Sequence, residues 1–481
     1  MISQDLMAPI MFGGLIVFLL IGYPAAFSLG AVGLFFSFIG IEMGMFQPTF
    51  LQALPDRVFG ILSNDLLLSI PFFTFMGAIL EKCGLAEDML EGLGQLFGPI
   101  RGGLAYAVII VGAILGAITG TVAASVIAMG LISLPIMLRY GYNPRVATGV
   151  IAASGTITQL IPPSLVLIVL ADQLGKSVGD MYAGAIGPSI IQIVLFCLFI
   201  FFLSIFRPQD VPALPPEARP KIDWKLFKKI LWGIVPSIAL IFLVLGTILM
   251  GLATPTEGGA MGSVGALVLA AMNGRLQKTL VWDAMTSTMR INAMVIFILI
   301  GSTVFGLAFR GVDGDLWIEH LLSGLPGGQV GFLIVVNLFV FFLAFFLDYF
   351  EIAFIIIPLL APVAQKLGID LIWFGVLLGA NMQTSFMHPP FGFALFYLRG
   401  VAPKSVKSSD IYYGALPWVG LQLILVAIII FVPETVTYFV DKPAIAVDAN
   451  AISVDPLAGV EQNEITVDSS SDIERQLREN K

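Results

Sequence analysis

Ser154-Gly-Thr-Ile-Thr-Gln-Leu-Ile-Pro-Pro-Ser164 and Asn381-Met-Gln-Thr-Ser-Phe-Met-His-Pro-Pro-Phe391 are the stretches that decide how this chain is read. Each lies inside an apolar segment and carries paired prolines, which remove two amide donors and leave carbonyls upstream without helical partners. In lipid such carbonyls must be satisfied by protein, water or an ion, so an interrupted helix marks a place that accommodates something polar. With the hydroxyls of Thr156, Thr158 and Ser164, the first stretch offers neutral oxygens that can replace the hydration shell of a small hard cation, and sodium suits such a site better than a proton.

The surroundings of these stretches are those of a membrane. Of 481 residues, 58% are apolar and 12% charged, against roughly 45–50% and about 25% in soluble domains. Windows of 16 to 25 residues with almost no charge recur along the chain, about the length a helix needs to cross roughly 30 Å of hydrocarbon. Uninterrupted runs such as Ile234 to Leu249 exclude the alternating pattern of an outer-membrane barrel. There is no Walker loop, no HExxH and no GxSxG on a strand, so the chain reads as no enzyme and transport must draw on an ion gradient. No basic patch suits nucleic acid. Cys83 and Cys197 give no disulfide framework, and His320 and His388 give no metal-ligand spacing, so sodium is the only metal expected. The opening apolar stretch lacks a basic n-region and reads as a retained first helix.

Charge orients the chain. Arg207, Arg219, Lys221, Lys225, Lys228 and Lys229 make segment 207–231 a basic cytoplasmic linker between two apolar halves, 1–206 and 232–437. At an offset of 227, Pro9, Gly84, Pro99, Pro135, Gly141, Pro162 and Pro163 match Pro236, Gly311, Pro326, Pro362, Gly368, Pro389 and Pro390. Slightly out of that register, Asp180-Met-Tyr-Ala-Gly-Ala-Ile186 matches Asp410-Ile-Tyr-Tyr-Gly-Ala-Leu416. Each half holds a paired apolar segment (104–139, 330–366) followed by a broken span (145–171, 371–398). If each pair enters and leaves on one side, a half has an odd number of crossings and the halves are oppositely oriented; two full crossings per pair would exclude inversion. Arg101, Arg139 and Arg145 flank the first pair, whereas Asp313, Asp315 and Glu319 precede the second, in keeping with opposite orientation. The expected fold class is therefore an all-α polytopic membrane protein, an inverted-topology repeat with two re-entrant helical hairpins and two broken helices. Segment 441–481 is acidic, free of aromatics and expected to be disordered.

The paired segments turn at Thr119-Gly-Thr-Val122 and near Asp348-Tyr-Phe-Glu351. Gly120 permits a left-handed turn, Thr119, Thr121 and Ser125 supply hydroxyls, and helix N-termini at the two tips would face a substrate carboxylate. Ser125, Ser164, Asn381 and Gln383 are the polar side chains expected to contact it. In Thr254-Pro-Thr-Glu257, Thr254 caps a helix and Glu257 occupies its first turn.

Ser69-Ile-Pro-Phe-Phe73, Thr119-Gly-Thr121, Gly141-Tyr142, Ile161-Pro-Pro-Ser164, Thr254-Pro-Thr-Glu257 and Pro389-Pro-Phe-Gly392 occur in an order that resembles the large membrane subunit of tripartite ATP-independent periplasmic (TRAP) transporters, over roughly residues 8 to 437. The resemblance implies a sodium-coupled elevator transporter of small organic acids, working with a small four-helix membrane subunit and a periplasmic substrate-binding protein. It implies a first sodium site from Thr119, Gly120, Thr121, Val122, Thr158, Ile161 and Pro163. It implies a second from Asp348, Thr384, Ser385, His388 and Phe391. This chain departs from the family in carrying Thr158 and Ser385 where glycine is common and His388 where threonine is common. The alternative is a stand-alone sodium- or proton-coupled carboxylate transporter of similar fold. No pair of arginines marks a dicarboxylate site, which favours a monocarboxylate or 2-oxo acid.

Overall fold

The computed structural model describes residues 4–218, 224–389 and 392–440. The acidic segment 441–481, with its expected disorder, lies outside the described residues. Every regular element among those described is helical. In chain order the principal helices are α1 Gln4–Ile21, α2 Ala25–Glu42, α3 Leu54–Leu62, α4 Asp65–Lys82, α5 Leu85–Phe97, α6 Gly103–Thr119, α7 Val122–Arg139, α8 Pro144–Thr156, α9 Leu165–Leu174 and α10 Val178–Phe206. They continue as α11 Trp224–Ile241, α12 Pro255–Met272, α13 Lys278–Gly311, α14 Gly314–Ser323, α15 Gly328–Leu343, α16 Tyr349–Lys366, α17 Leu371–Met382, α18 Phe393–Val401 and α19 Ser408–Phe431. Among the described residues seven helices are long and apolar enough to cross a bilayer, or nine if two bent pairs each count as one span.

Local sequence explains where many of these helices begin. Asn143, Ser164, Ser177, Thr254, Asp348 and Asp370 each accept a hydrogen bond from an amide in the following first turn, which satisfies donors that a helix start otherwise leaves open. At Thr254 the expected cap is a full capping box, since Glu257 accepts from the Thr254 amide at 2.8 Å. The basic stretch leads into α11, which starts at Trp224 and runs unbroken into the next apolar span.

The chain reverses at both paired segments. An added Cβ at Gly112 on α6 would lie 2.7 Å from Ser154, and one at Gly155 would lie 2.2 Å from Val126 on α7. Residues 112 and 126 therefore reach adjacent positions of α8, although a straight helix would hold them roughly 20 Å apart. The base of this hairpin closes on the linker, where Gly102 donates to the Val211 carbonyl and Asn143 to that of Asp210, each at 3.0 Å. In the second half the Gln329 side chain at the start of α15 donates to the Leu367 carbonyl beyond α16 at 2.7 Å, which closes the second hairpin.

Every residue of α17 is buried, and all but the entry turn of α8 is too, whereas α2, α10 and α11 expose Phe27, Phe38, Phe206 and Phe227. The interrupted helices thus form the centre and the outer helices present the large apolar side chains that suit lipid. At the centre the two halves touch through backbone: a Cβ on Gly149 of α8 would meet the Gly414 carbonyl of α19 at 2.3 Å, and one on Gly414 would meet the Arg145 carbonyl at 2.3 Å. Only glycine admits this approach, the small-residue logic of helix packing in membranes.

Candidate functional site

Pro162 and Pro163 do not lie in a continuous helix, and neither does Pro389. After α8 the chain takes a tight 3₁₀ turn over Ile157–Gln159 and stays non-helical until Leu165. After α17 a like turn spans Gln383–Phe386, and helix resumes at Phe393. Both hairpin turns and both breaks meet at one cavity of about 270 Å³. Gly120, Thr121 and Val122 line it from the first turn, Gln159 and Leu165 from the first break, Asp348 and Tyr349 from the second turn, and Phe386 and Phe393 flank the second break. Ile291 and Met294 of α13 and Tyr397 of α18 complete the wall.

At the first turn Gly120 adopts the left-handed conformation (φ 61°), Thr121 is extended, and no side chain caps α7. The first amides of that 18-residue helix are therefore open donors beside the cavity. Thr119 closes α6, but its side chain is outside the described part. Ser125 is buried in the first turn of α7, its amide bonded to the Thr121 carbonyl at 3.4 Å. Across from them Thr158 is fully buried, and its hydroxyl has no protein partner. The backbones are close here, since a Cβ on Gly116 would lie 2.9 Å from Thr158 Cα. Ile161 donates its amide to the Ile157 carbonyl at 3.2 Å, ahead of Pro162 and Pro163. Ser164 donates to the Gln159 carbonyl and accepts from the Val166 amide, so its hydroxyl shapes the break and caps α9.

The second turn is built on carboxylates. Asp348 accepts from the Glu351 amide at 2.9 Å, and Glu351 accepts from that of Asp348 at 3.0 Å. Behind it Thr384 donates to the Asn381 carbonyl at 2.7 Å, and the buried Ser385 hydroxyl has no protein partner. His388 is 1% exposed and stacks on Phe345 at 4.1 Å with Phe341 edge-on at 4.4 Å; neither ring nitrogen has a protein partner. Phe391 lies outside the described residues.

Asn381 and Gln383 do not line the cavity but belong to buried amide contacts. Asn381 donates to the Asn337 carbonyl at 2.7 Å. Gln192 of α10 donates to Gln383 at 2.6 Å, while Gln422 of α19 reaches Thr156 at 3.2 Å and Gln383 at 3.4 Å. A helix of each half thus grips the break of the other. The sequence reading passed over Gln192 and Gln422; their signal is an isolated amide in each of two apolar helices, at the same separation as the Asp180 and Asp410 motifs. It also passed over Gln159 and Tyr397 as part of the wall. At the turn after α7, outside the spans, burial pushes the Tyr142 phenol above its ordinary range.

A sequence model described as "Tripartite ATP-independent periplasmic transporter, DctM component" matches residues 12–435. The chain belongs to this family. As a DctM-family chain it is a multi-pass protein of the bacterial inner membrane and a component of a transport system, not an enzyme. The C4-dicarboxylate TRAP transporter large permease protein of Rhodobacter capsulatus is 29% identical over 89% of this chain and 97% of its own length. The isethionate TRAP transporter permease protein of Oleidesulfovibrio alaskensis is 26% identical over 90% of this chain and 66% of its own length. The structure of the Alcanivorax borkumensis YdaH transporter superposes with a TM-score of 0.56 over 79% of this chain and 86% of that one, at 16% identity, a likeness of fold alone.

Proposed function

We propose that this DctM-family chain is the translocating subunit of a sodium-driven importer of small organic acids, in which an elevator movement carries two hairpins that re-enter the membrane without crossing it. The observation that carries the proposal is the convergence of both hairpin turns and both proline breaks on one cavity, beside buried oxygens of Thr158 and Ser385 that no protein donor reaches. Buried hydroxyls without partners are costly, and a coordinated cation relieves that cost in a way a proton relay through neutral groups does not.

The first ion rests on the carbonyls and hydroxyls of residues 119–122, with Thr158, Ile161 and Pro163. The second rests on Asp348, Thr384, Ser385 and the backbone of His388. Ions on both sides would hold the turns against the breaks, and the open amides of α7 would then face the substrate's negative charge. The halves, 1–206 and 232–437, are read as an inverted repeat, which places the two hairpins on opposite membrane faces. Ser125, Ser164, Asn381 and Gln383 shape the walls behind the substrate. A small four-helix membrane subunit and a periplasmic binding protein complete the system, in keeping with the words "tripartite" and "periplasmic" in the family's description and "large permease" in the name of the R. capsulatus relative.

Reconstitution tests this. Uptake into proteoliposomes should require the binding protein, the small subunit and an inward sodium gradient, and a potassium gradient should not replace it. Uptake by this chain alone would favour a stand-alone sodium- or proton-coupled carboxylate carrier.

A further inference from the structure

We infer that the cavity selects an aromatic monocarboxylate over a C4-dicarboxylate; this rests on the transport reading above and goes beyond it in naming the cargo. One end of the cavity is built for a single negative charge. The open amides of α7 at Val122 and Ala123 face it, and no side chain caps them. Gln159, only 5% exposed, stands at the same end; its amide oxygen has no partner there, and a half-turn of the amide sets its NH2 donor in that place. Helix-terminal amides and one neutral amide can hold a carboxylate without a countercharge.

The rest of the cavity is built for a ring. Phe350, Phe386, Phe393 and Tyr397 line it, with Ile291 and Met294 opposite. No Lys or Arg is among the described residues that line it. The one acid, Asp348, already accepts the Glu351 amide and lies where the transport reading puts a sodium ion. A second substrate carboxylate would therefore be desolvated against aromatic faces with no cation to repay it. A ring gains there instead, since aromatic pairs prefer offset or edge-on contacts within such walls. At about 270 Å³ the cavity falls below the roughly 300 Å³ at which pockets for drug-sized ligands begin, which fits one ring with a short acidic arm.

The test uses the full chain purified with its small membrane subunit, with phenylacetate and succinate as probes in sodium and in potassium buffer. In sodium, phenylacetate should bind at least about tenfold more tightly than succinate. Phe386→Leu and Phe393→Leu, which keep bulk but remove a ring, should each weaken phenylacetate several-fold more than they weaken succinate. Tighter binding of succinate, or folded leucine variants with unaltered phenylacetate affinity, overturns the inference and leaves the transport reading standing. Binding of neither probe while the complete system shows sodium-driven uptake also overturns the inference alone; absence of both binding and uptake overturns the transport reading with it.

Discussion

Where the first half has Thr121, Ser125, Gln159, Ile161 and Ser164, the second, at the same offset of 227, has Asp348, Ile352, Phe386, His388 and Phe391. The first turn relies on a left-handed glycine and leaves the next helix uncapped; the second relies on a reciprocal carboxylate cap. One pattern of interruption has thus been filled with two chemistries. Open amides on one side favour an anion, and an acid on the other favours a cation. A cavity lined by both can hold a salt of substrate and sodium with little net charge, which lowers the cost of carrying it through lipid.

The largest effect expected from breaking this comparison is at Gly116, whose counterpart in the second half is Leu343. Gly116→Val would press the first hairpin off Thr158, where even a Cβ comes within 2.9 Å of Cα. Uptake should fall about 100-fold or more, in line with displacements near 1 Å at reacting geometry. Leu343→Val should cost far less, and proteoliposome uptake rates measure both. Comparable losses at the two positions would mean the asymmetry is of no consequence.

Next comes the amide brace. Gln422→Leu removes a donor to Thr156 and one partner of Gln383, and it should lower stability by about 1–3 kcal/mol, read as a thermal shift in detergent. Combined with Gln383→Leu, the loss should be smaller than the sum, because the two act in one network.

His388→Ile installs the residue of the first half. If the His388 carbonyl serves the second ion, half-saturating sodium should move by less than about threefold, and the apolar replacement of two unpartnered nitrogens should be near neutral for folding. A tenfold loss of sodium affinity would instead show that the ring nitrogen is a ligand. The smallest effect belongs to the rim, where Arg145 meets Asp410 at 3.2 Å with the arginine largely exposed. Arg145→Gln should cost about 0.2–1 kcal/mol and less at high salt.

Much of this architecture was legible from punctuation. Proline pairs and turn glycines act within a few residues, so the two breaks and the two turns could be located without any knowledge of packing. Capping at Thr254 was equally local. What could not be read is what distant segments bring to one another. The closure of the first hairpin on Asp210 and Val211, the grip of Gln192 on Gln383 and the stacking of Phe341 and Phe345 on His388 all depend on tertiary contact. Tyr397 and Gln159 escaped notice for the same reason, since nothing in their neighbourhoods distinguishes a wall residue from a packed one.

The backbone contact between Gly149 and Gly414 has a kinetic meaning. Helices whose main chains touch cannot slide past each other without unpacking, so in the proposed elevator movement the central elements of the two halves would travel as a single block. On that proposal neither of the two ion positions could open to water on its own schedule, and slippage, in which sodium crosses without cargo, would be restrained by mechanics rather than by affinity. A bulkier residue at position 414, tolerated well enough to fold, should show up first as leak current in the absence of substrate.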